Sequence, residues 1–192
     1  RRVLFRSHGT TPLRRHVGWV LQNHPLLFLM ASKVSVYAGL SAFTSVMLFF
    51  FSNVLKRGPE MLALYAAIFA LTTICLTPAW TWLARRLEKK TGYLLSFAGY
   101  IVGIATWLAA GPGESLAWFA ARAAFLGIFN AGLFLFGNSM LIDTFAHDYR
   151  VSGLRREGFL SSAFSFVEKT ALALGPLIIG ALLSAMGFDK SL

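Results

Sequence analysis

Five long apolar runs govern what this chain can become: residues 25–52, 60–83, 93–110, 115–142 and 159–186, each 18 residues or longer and separated by short polar segments. About 20 apolar residues in a helix cross the hydrocarbon core of a bilayer. Runs of this length therefore commit the chain to a multi-pass membrane protein. The balance of residues agrees, because 56% hydrophobic against 14% charged and a mean hydropathy of +0.63 leave too little polar surface to cover a water-soluble globule of this size. Alternation of apolar and polar residues, the mark of a membrane barrel strand, is absent, so all five spans are expected to be helices and the fold class an all-α membrane protein.

The amino terminus reads differently from the rest. Arg1-Arg2-Val3-Leu4-Phe5-Arg6-Ser7 is a basic heptapeptide with no initiating Met, and residues 1–7 are expected to be a sequencing or cloning scar. Setting aside its three Arg lowers the formal charge from +10 to +7. Residues 8–24 are expected to form a cytoplasmic loop and residues 25–192 a membrane unit, with the odd count of spans pointing to a fragment of a longer protein.

Lys and Arg fall unevenly between the spans. Segments 8–24, 84–92 and 143–158 hold two, four and three of them, whereas the opposite side holds only Lys56, Arg57 and Lys190. Cytoplasmic loops carry the excess, so the His8 side is expected to be cytoplasmic and the chain to lie in the inner (plasma) membrane of a bacterium. The basic residues flank spans instead of forming a patch interleaved with exposed aromatics, which excludes nucleic acid as a partner.

Enzyme classes find little support. The lone Cys75 lies inside a span, as expected of inert core, and permits neither a disulfide framework nor a thiolate metal site. His8, His16, His24 and His147 are scattered, with no pair at ligand spacing. No nucleophile elbow, glycine-rich phosphate loop or HExxH pattern occurs. The chain is expected not to be an enzyme and to hold no metal or cofactor.

What the spans do carry is polar residues at intervals of four, a spacing that keeps side chains on one helix stripe. Lys33, Tyr37, Ser41 and Ser45 form such a stripe in the first span, Asn130, Phe134 and Asn138 in the fourth, and Ser161, Ser165, Lys169 and Ala173 in the fifth, with Pro176 just beyond. Polar stripes face lipid only at high cost, so they are expected to face one another or a water-filled pathway. Lys169 stands out, lying ten residues into its span, about 15 Å deep at helical rise, beyond easy snorkelling. Its neighbour Glu168 points about 100° away around the helix and is an awkward direct partner. Lys33 is shallower, about 12 Å from its helix end, where a long side chain can snorkel to the headgroups. Arg122 is expected to be structural for the same reason, and Asn130 and Asn138 to glue helices together. The third span is nearly apolar all round; Gly99 and Gly103 suit it to close packing as a support helix.

The loops carry a resemblance. Asp143-Thr144-Phe145-Ala146-His147-Asp148-Tyr149-Arg150-Val151-Ser152-Gly153-Leu154-Arg155-Arg156-Glu157-Gly158, followed by a helix bearing Lys169 and closing at Gly187-Phe188, resembles the glycoside-pentoside-hexuronide:cation symporters of the major facilitator superfamily. That family has an acid-rich loop ending in Thr-Gly-x-Arg-Arg-Glu-Gly before a helix with a Lys. Pro78-Ala79-Trp80-Thr81-Trp82-Leu83-Ala84-Arg85-Arg86-Leu87-Glu88-Lys89-Lys90-Thr91-Gly92 is similar to an earlier loop of the same family. Departures are Ala146 where a second Asp is usual, Ser152 in place of Thr, and Glu88 in place of Gly.

The resemblance implies that the five spans are helices 7 to 11 of a 12-helix transporter working by alternating access, with symport of a sugar or glycoside driven by Na⁺ or H⁺. The coupling cation would bind mainly in an amino-terminal six-helix half that this chain does not contain. That half, the bilayer and a small solute are the implied partners. Lys169, Ser165, Phe134, Asn130, Tyr37 and Lys33 are the expected pathway or coupling residues, Phe134 at the place of a solute-facing aromatic. Asp143, Asp148 and Glu157 are expected to pair with Arg85, Arg86, Arg155 or Arg156 as cytoplasmic gating loops. The alternative is a lysolipid or other amphipathic solute on the same fold, since related superfamily members share the Lys and move lipids. An apolar lateral opening between helices would favour lipid and a closed polar cavity sugar.

Overall fold

The computed structural model describes residues 18, 20–58 and 60–185. The heptapeptide, most of the first loop, Lys190 and the Gly187-Phe188 closure lie outside the described residues. Five helices follow: α1 His24–Asn53, α2 Glu60–Leu83, α3 Lys89–Thr106 continued by a 3₁₀ turn Trp107–Ala109, α4 Leu116–Ser152, and α5 Glu157–Ala185. Each is long and apolar enough to cross a membrane, as the five runs predict. Successive helices run antiparallel, so the starts of α1, α3 and α5 meet the ends of α2 and α4 at one basic end.

Helix ends depart from the apolar runs. The loop expected over residues 143–158 is mostly helix, because α4 continues ten residues past Ile142 and leaves only residues 153–156 between it and α5. Charge marks where a helix leaves the apolar layer, not where it stops. Thr144 and Asp148 extend the buried face of α4 at intervals of four, and the helix ends where Gly153 adopts a left-handed φ of 66° and donates its N–H to Tyr149 O at 2.8 Å. Gly18 and Val20 to Gln22 are likewise helical within the expected first loop. Asn23 starts α1: its Oδ1 accepts from Leu26 N at 3.1 Å, and its Nδ2 donates to Thr144 O at 3.3 Å, tying the start of α1 to the α4 extension.

Packing centres on α4, which takes α2 on one flank and α3 on another, while α1 packs chiefly on α5. Small residues set the approach of α3 to α4. A Cβ on Gly92 would meet the Phe136 ring, one on Gly99 the Phe129 ring, and one on Gly132 the Ser96 hydroxyl. The α2–α4 seam brings backbone against backbone, since a Cβ on Gly127 would lie 2.7 Å from Phe69 O. Polar bonds reinforce it: Trp80 Nε1 donates to Ile128 O at 2.7 Å and Thr73 Oγ1 to Gly127 O at 3.2 Å. Far from the basic end, Trp107 is ringed by Phe43, Phe50, Phe51, Tyr65 and Phe119, an aromatic knot that joins α1, α2 and α4. Cys75, expected in the core, is exposed on α2.

Pro176 sits inside α5 without ending it. Having no N–H, it leaves the carbonyl four residues back, Leu172 O, without its helical donor. The Ser41 hydroxyl of α1 donates into that carbonyl. Gly175 permits the approach, as a Cβ there would lie 2.5 Å from the Ala42 backbone nitrogen.

Candidate functional site

Lys33 does not snorkel. It is 3% exposed, and its ammonium lies over Gly137 of α4, where any Cβ would collide with Nζ. Aromatic rings hold it there, with Tyr37 at 5.3 Å and Tyr93 at 5.8 Å from Nζ to ring centroid. The Tyr93 hydroxyl is itself fixed by a 3.1 Å hydrogen bond with Ser32 Oγ. Glu168 of α5 acts on the ammonium through space, but no carboxylate lies within the 4.0 Å of an ion pair among the described residues.

Four of the six expected pathway residues come together. Lys33 and Tyr37 from α1 and Asn130 and Phe134 from α4 line one recess of about 40 Å³, joined by Tyr100 of α3. A water needs roughly 10–15 Å³ of such space, so the recess takes a group of a few heavy atoms, not a sugar ring. Phe134, 65% exposed, stands at its open side. Asn130 Nδ2 contacts Thr73 Oγ1 of α2 at 3.4 Å, an interhelical link as expected, whereas Asn138 Nδ2 donates within α4 to Phe134 O at 2.8 Å.

Ser165 and Lys169 are not part of that recess. Both lie on the exposed face of α5, so the stripes of α1 and α4 meet while that of α5 turns away from them. Lys169 does reach Glu168, at 3.7 Å, with its side chain 75% exposed. The expected obstacle of adjacent positions is thus overcome only partly, since 3.7 Å is an ion pair without a hydrogen bond. Glu168, which faces α1, is the inward group of α5; its signal in the sequence is that it is the one acid within a span interior. Tyr93, Tyr100 and Gly137 give no such signal, because each acquires its role from a neighbouring helix.

At the basic end the expected charge pairs are partly redrawn. Asp148 pairs with Arg156 through two bonds of 3.1 Å, with side chains 8% and 11% exposed. Asp143 does not take Arg85 or Arg86: it pairs with Lys89 at 2.7 Å, because both residues sit on helices whose ends are side by side. Arg86 stacks on Trp82 at 4.5 Å and Arg155 on Tyr149 at 6.0 Å. Arg85 and Glu157 are exposed and enter no ion pair among the described residues. At the other end Arg122 is structural as expected, paired with Glu114 at 3.1 Å, whose backbone carbonyl accepts from Arg57 at 2.7 Å. A larger cleft of about 710 Å³ opens between α1, α3 and α4 near the basic end, walled by Phe28, Leu29, Leu94 and Met140 and rimmed by Lys90 and Asp143.

Known proteins share this chain's sequence pattern. Residues 2–192 match the family described as MFS/sugar transport protein. A relative from Synechocystis sp., an uncharacterized symporter, is 27% identical over 188 residues, which is 95% of this chain and 34% of the relative. The chain thus spans about a third of the length of the relative it matches. Multi-pass helices, a recess joining three of them and a family match along almost the whole sequence agree with the resemblance read from the loops: this chain belongs to the MFS/sugar transport protein family.

Proposed function

We propose that this chain contributes helices 7 to 11 of a cation-coupled symporter that moves a sugar or glycoside by alternating access, with its basic end in the cytoplasm. The observation that carries the reading is the convergence of Lys33, Tyr37, Asn130 and Phe134 on one recess within a bundle otherwise packed with apolar side chains. Aromatic faces beside hydrogen-bonding groups suit a sugar, with one hydroxyl reaching into the recess and the ring lying outside it against exposed Phe134. Family membership and a symporter relative support transport. Lys169 would act from the exposed face of α5, pairing with a carboxylate of the amino-terminal half or with a solute hydroxyl and so linking Na⁺ or H⁺ occupancy to closure. The Asp148–Arg156 pair ties α4 to the turn before α5 and the Asp143–Lys89 pair ties α4 to α3, at the end that would open and close, and making or breaking them biases two packings.

The apolar cleft between α1 and α3 favours a second reading, an amphipathic solute entering from the side. Uptake into proteoliposomes by the complete protein separates the two. Sugar uptake that falls at least tenfold in Asn130→Ala and Phe134→Ala, with unchanged thermal midpoints, supports the first. Uptake of a lysophospholipid but of no sugar would replace it by the second.

A further inference from the structure

We infer that the end of the bundle opposite the basic end holds a phospholipid whose headgroup carries a primary amine, seated on Glu114, Arg122 and Trp118. Two open cavities adjoin there. One, of about 470 Å³, is walled by residues 111–114, Trp118 and Arg122; the other, of about 370 Å³, passes Thr106, Ala121 and Phe125 along α3 and α4. Ala109, Trp118 and Arg122 line both, so a polar chamber at the helix ends leads into an apolar groove between two spans. A lipid has this outline, with its head in the chamber and an acyl chain in the groove. Trp118, 65% exposed, stands at their junction, where an amphipathic ring suits the border between headgroups and hydrocarbon. The site is apart from the solute recess, since Arg122 lies eight residues, about 12 Å at helical rise, from Asn130 along α4.

The headgroup follows from the charges. Glu114 and Arg122 pair at 3.1 Å with side chains 11% and 15% exposed, and Arg57, which does not line the chamber, pins the main chain by donating to Glu114 O at 2.7 Å. The pair uses Oε2 alone: Oε1 is buried and accepts no hydrogen bond among the described residues. Buried acceptors almost always find a donor, and the terminal torsion of a Glu side chain is soft enough to turn either oxygen towards the chamber. An ammonium supplies the donor. Arg122 gives one of its five N–H groups to Glu114, which leaves others for a phosphate oxygen. An amine and a phosphate joined by two carbons, as in an ethanolamine headgroup, thus meet the carboxylate and the guanidinium with opposite signs facing, and the four charges cancel. Other occupants fit worse. A divalent cation needs about six oxygen ligands and is repelled by the guanidinium. A glycerol headgroup sets its phosphate beside the carboxylate with no ammonium between them, and choline keeps the positive charge but has no N–H to donate.

The test uses the complete protein in detergent, loaded with dioleoyl-phosphatidylethanolamine, -phosphatidylcholine or -phosphatidylglycerol at equal concentration, washed identically and weighed by native mass spectrometry. The expected result is at least one more ethanolamine lipid retained per protein than choline or glycerol lipid. Glu114→Gln, which keeps the shape but not the charge that holds the ammonium, should remove that excess. Ala121→Trp should remove it too, because it fills the groove from an exposed position and leaves the ion pair intact, so its effect does not depend on how well the first variant folds. Equal retention of the choline lipid would mean that water, not an ammonium, serves Oε1, and preference for the glycerol lipid would mean that Arg122 acts alone; either overturns the site. So does an ethanolamine excess that persists in either variant, which would place it elsewhere on the protein. Binding is read without solute or gradient, so these outcomes are independent of the transport reading.

Discussion

Lys33 and Lys169 carry the same ammonium on adjacent helices, yet one is 3% exposed and the other has a side chain 75% exposed. The difference comes from what each faces. Gly137 lacks the side chain that would fill the space taken by Lys33 Nζ, so Gly137→Ala should push the ammonium out of the recess. Because the displaced atoms are the end of a flexible chain, folding should survive. Solute uptake should fall about tenfold, equivalent to about 1.4 kcal/mol, with an unchanged thermal midpoint; unchanged uptake would show that the position of Lys33 is irrelevant to transport. Two aspartates at the basic end offer a second contrast. Asp148→Asn leaves the largely buried Arg156 without its bidentate partner and should cost about 2–3 kcal/mol, below the fully buried case because both side chains keep some exposure. Asp143→Asn, in a pair about half exposed, should cost less than about 1 kcal/mol. Thermal unfolding in detergent reads both, and equal losses would contradict the account. The intervals of four in α1 and α4 make Lys33, Tyr37, Asn130 and Phe134 legible in the sequence. Tyr100 and Gly137 are not, since their parts depend on how α3 and α4 are rotated against one another, which spacing within one helix does not encode.

Helices in this chain outlast the apolar runs that announce them. The hydropathy of α4 ends at Ile142, where charge begins, but Thr144 and Asp148 keep its buried face going to Gly153. Reading residues 143–158 as a loop therefore places the acids correctly at the basic end while misjudging their support, and the partner of Asp143 is Lys89 instead of Arg85 or Arg86 for that reason. Pro176 makes the opposite case, a breaker that fails to break. Its missing N–H is replaced by the Ser41 hydroxyl on Leu172 O, a substitution that no single-helix pattern reveals. A double-mutant cycle tests it. Ser41→Ala alone should destabilise by about 1 kcal/mol, the worth of a typical hydrogen bond. In a Pro176→Ala background, where the helix supplies its own donor, the same change should cost nearly nothing. Equal costs in both backgrounds would mean that Ser41 does not serve the proline.

Taken as one body, the five helices divide into α1 with α5 on one side and α2, α3 and α4 on the other, joined by the recess and by the aromatic knot around Trp107. Span number and helical character follow from length and hydropathy alone. The seams do not, because they rest on particular fits such as Gly127 on Phe69 and Gly175 on Ala42. Exposed faces remain on α2, with Leu71 and Ile74, and on α5, with Phe166 and Leu177 beside Lys169. In a complete transporter such faces meet lipid or the other half, and the ammonium of Lys169 requires that its own face meet a carboxylate or water. Lys169→Ala should accordingly abolish accumulation against a gradient while leaving the thermal midpoint within a few degrees. The decisive measurement is solute accumulation by the complete protein in proteoliposomes, with and without an imposed Na⁺ or proton gradient. The account predicts accumulation only when a gradient is present, at least tenfold reduced in Phe134→Ala and absent in Lys169→Ala. Accumulation independent of any cation gradient, or wild-type uptake by both variants, would contradict it.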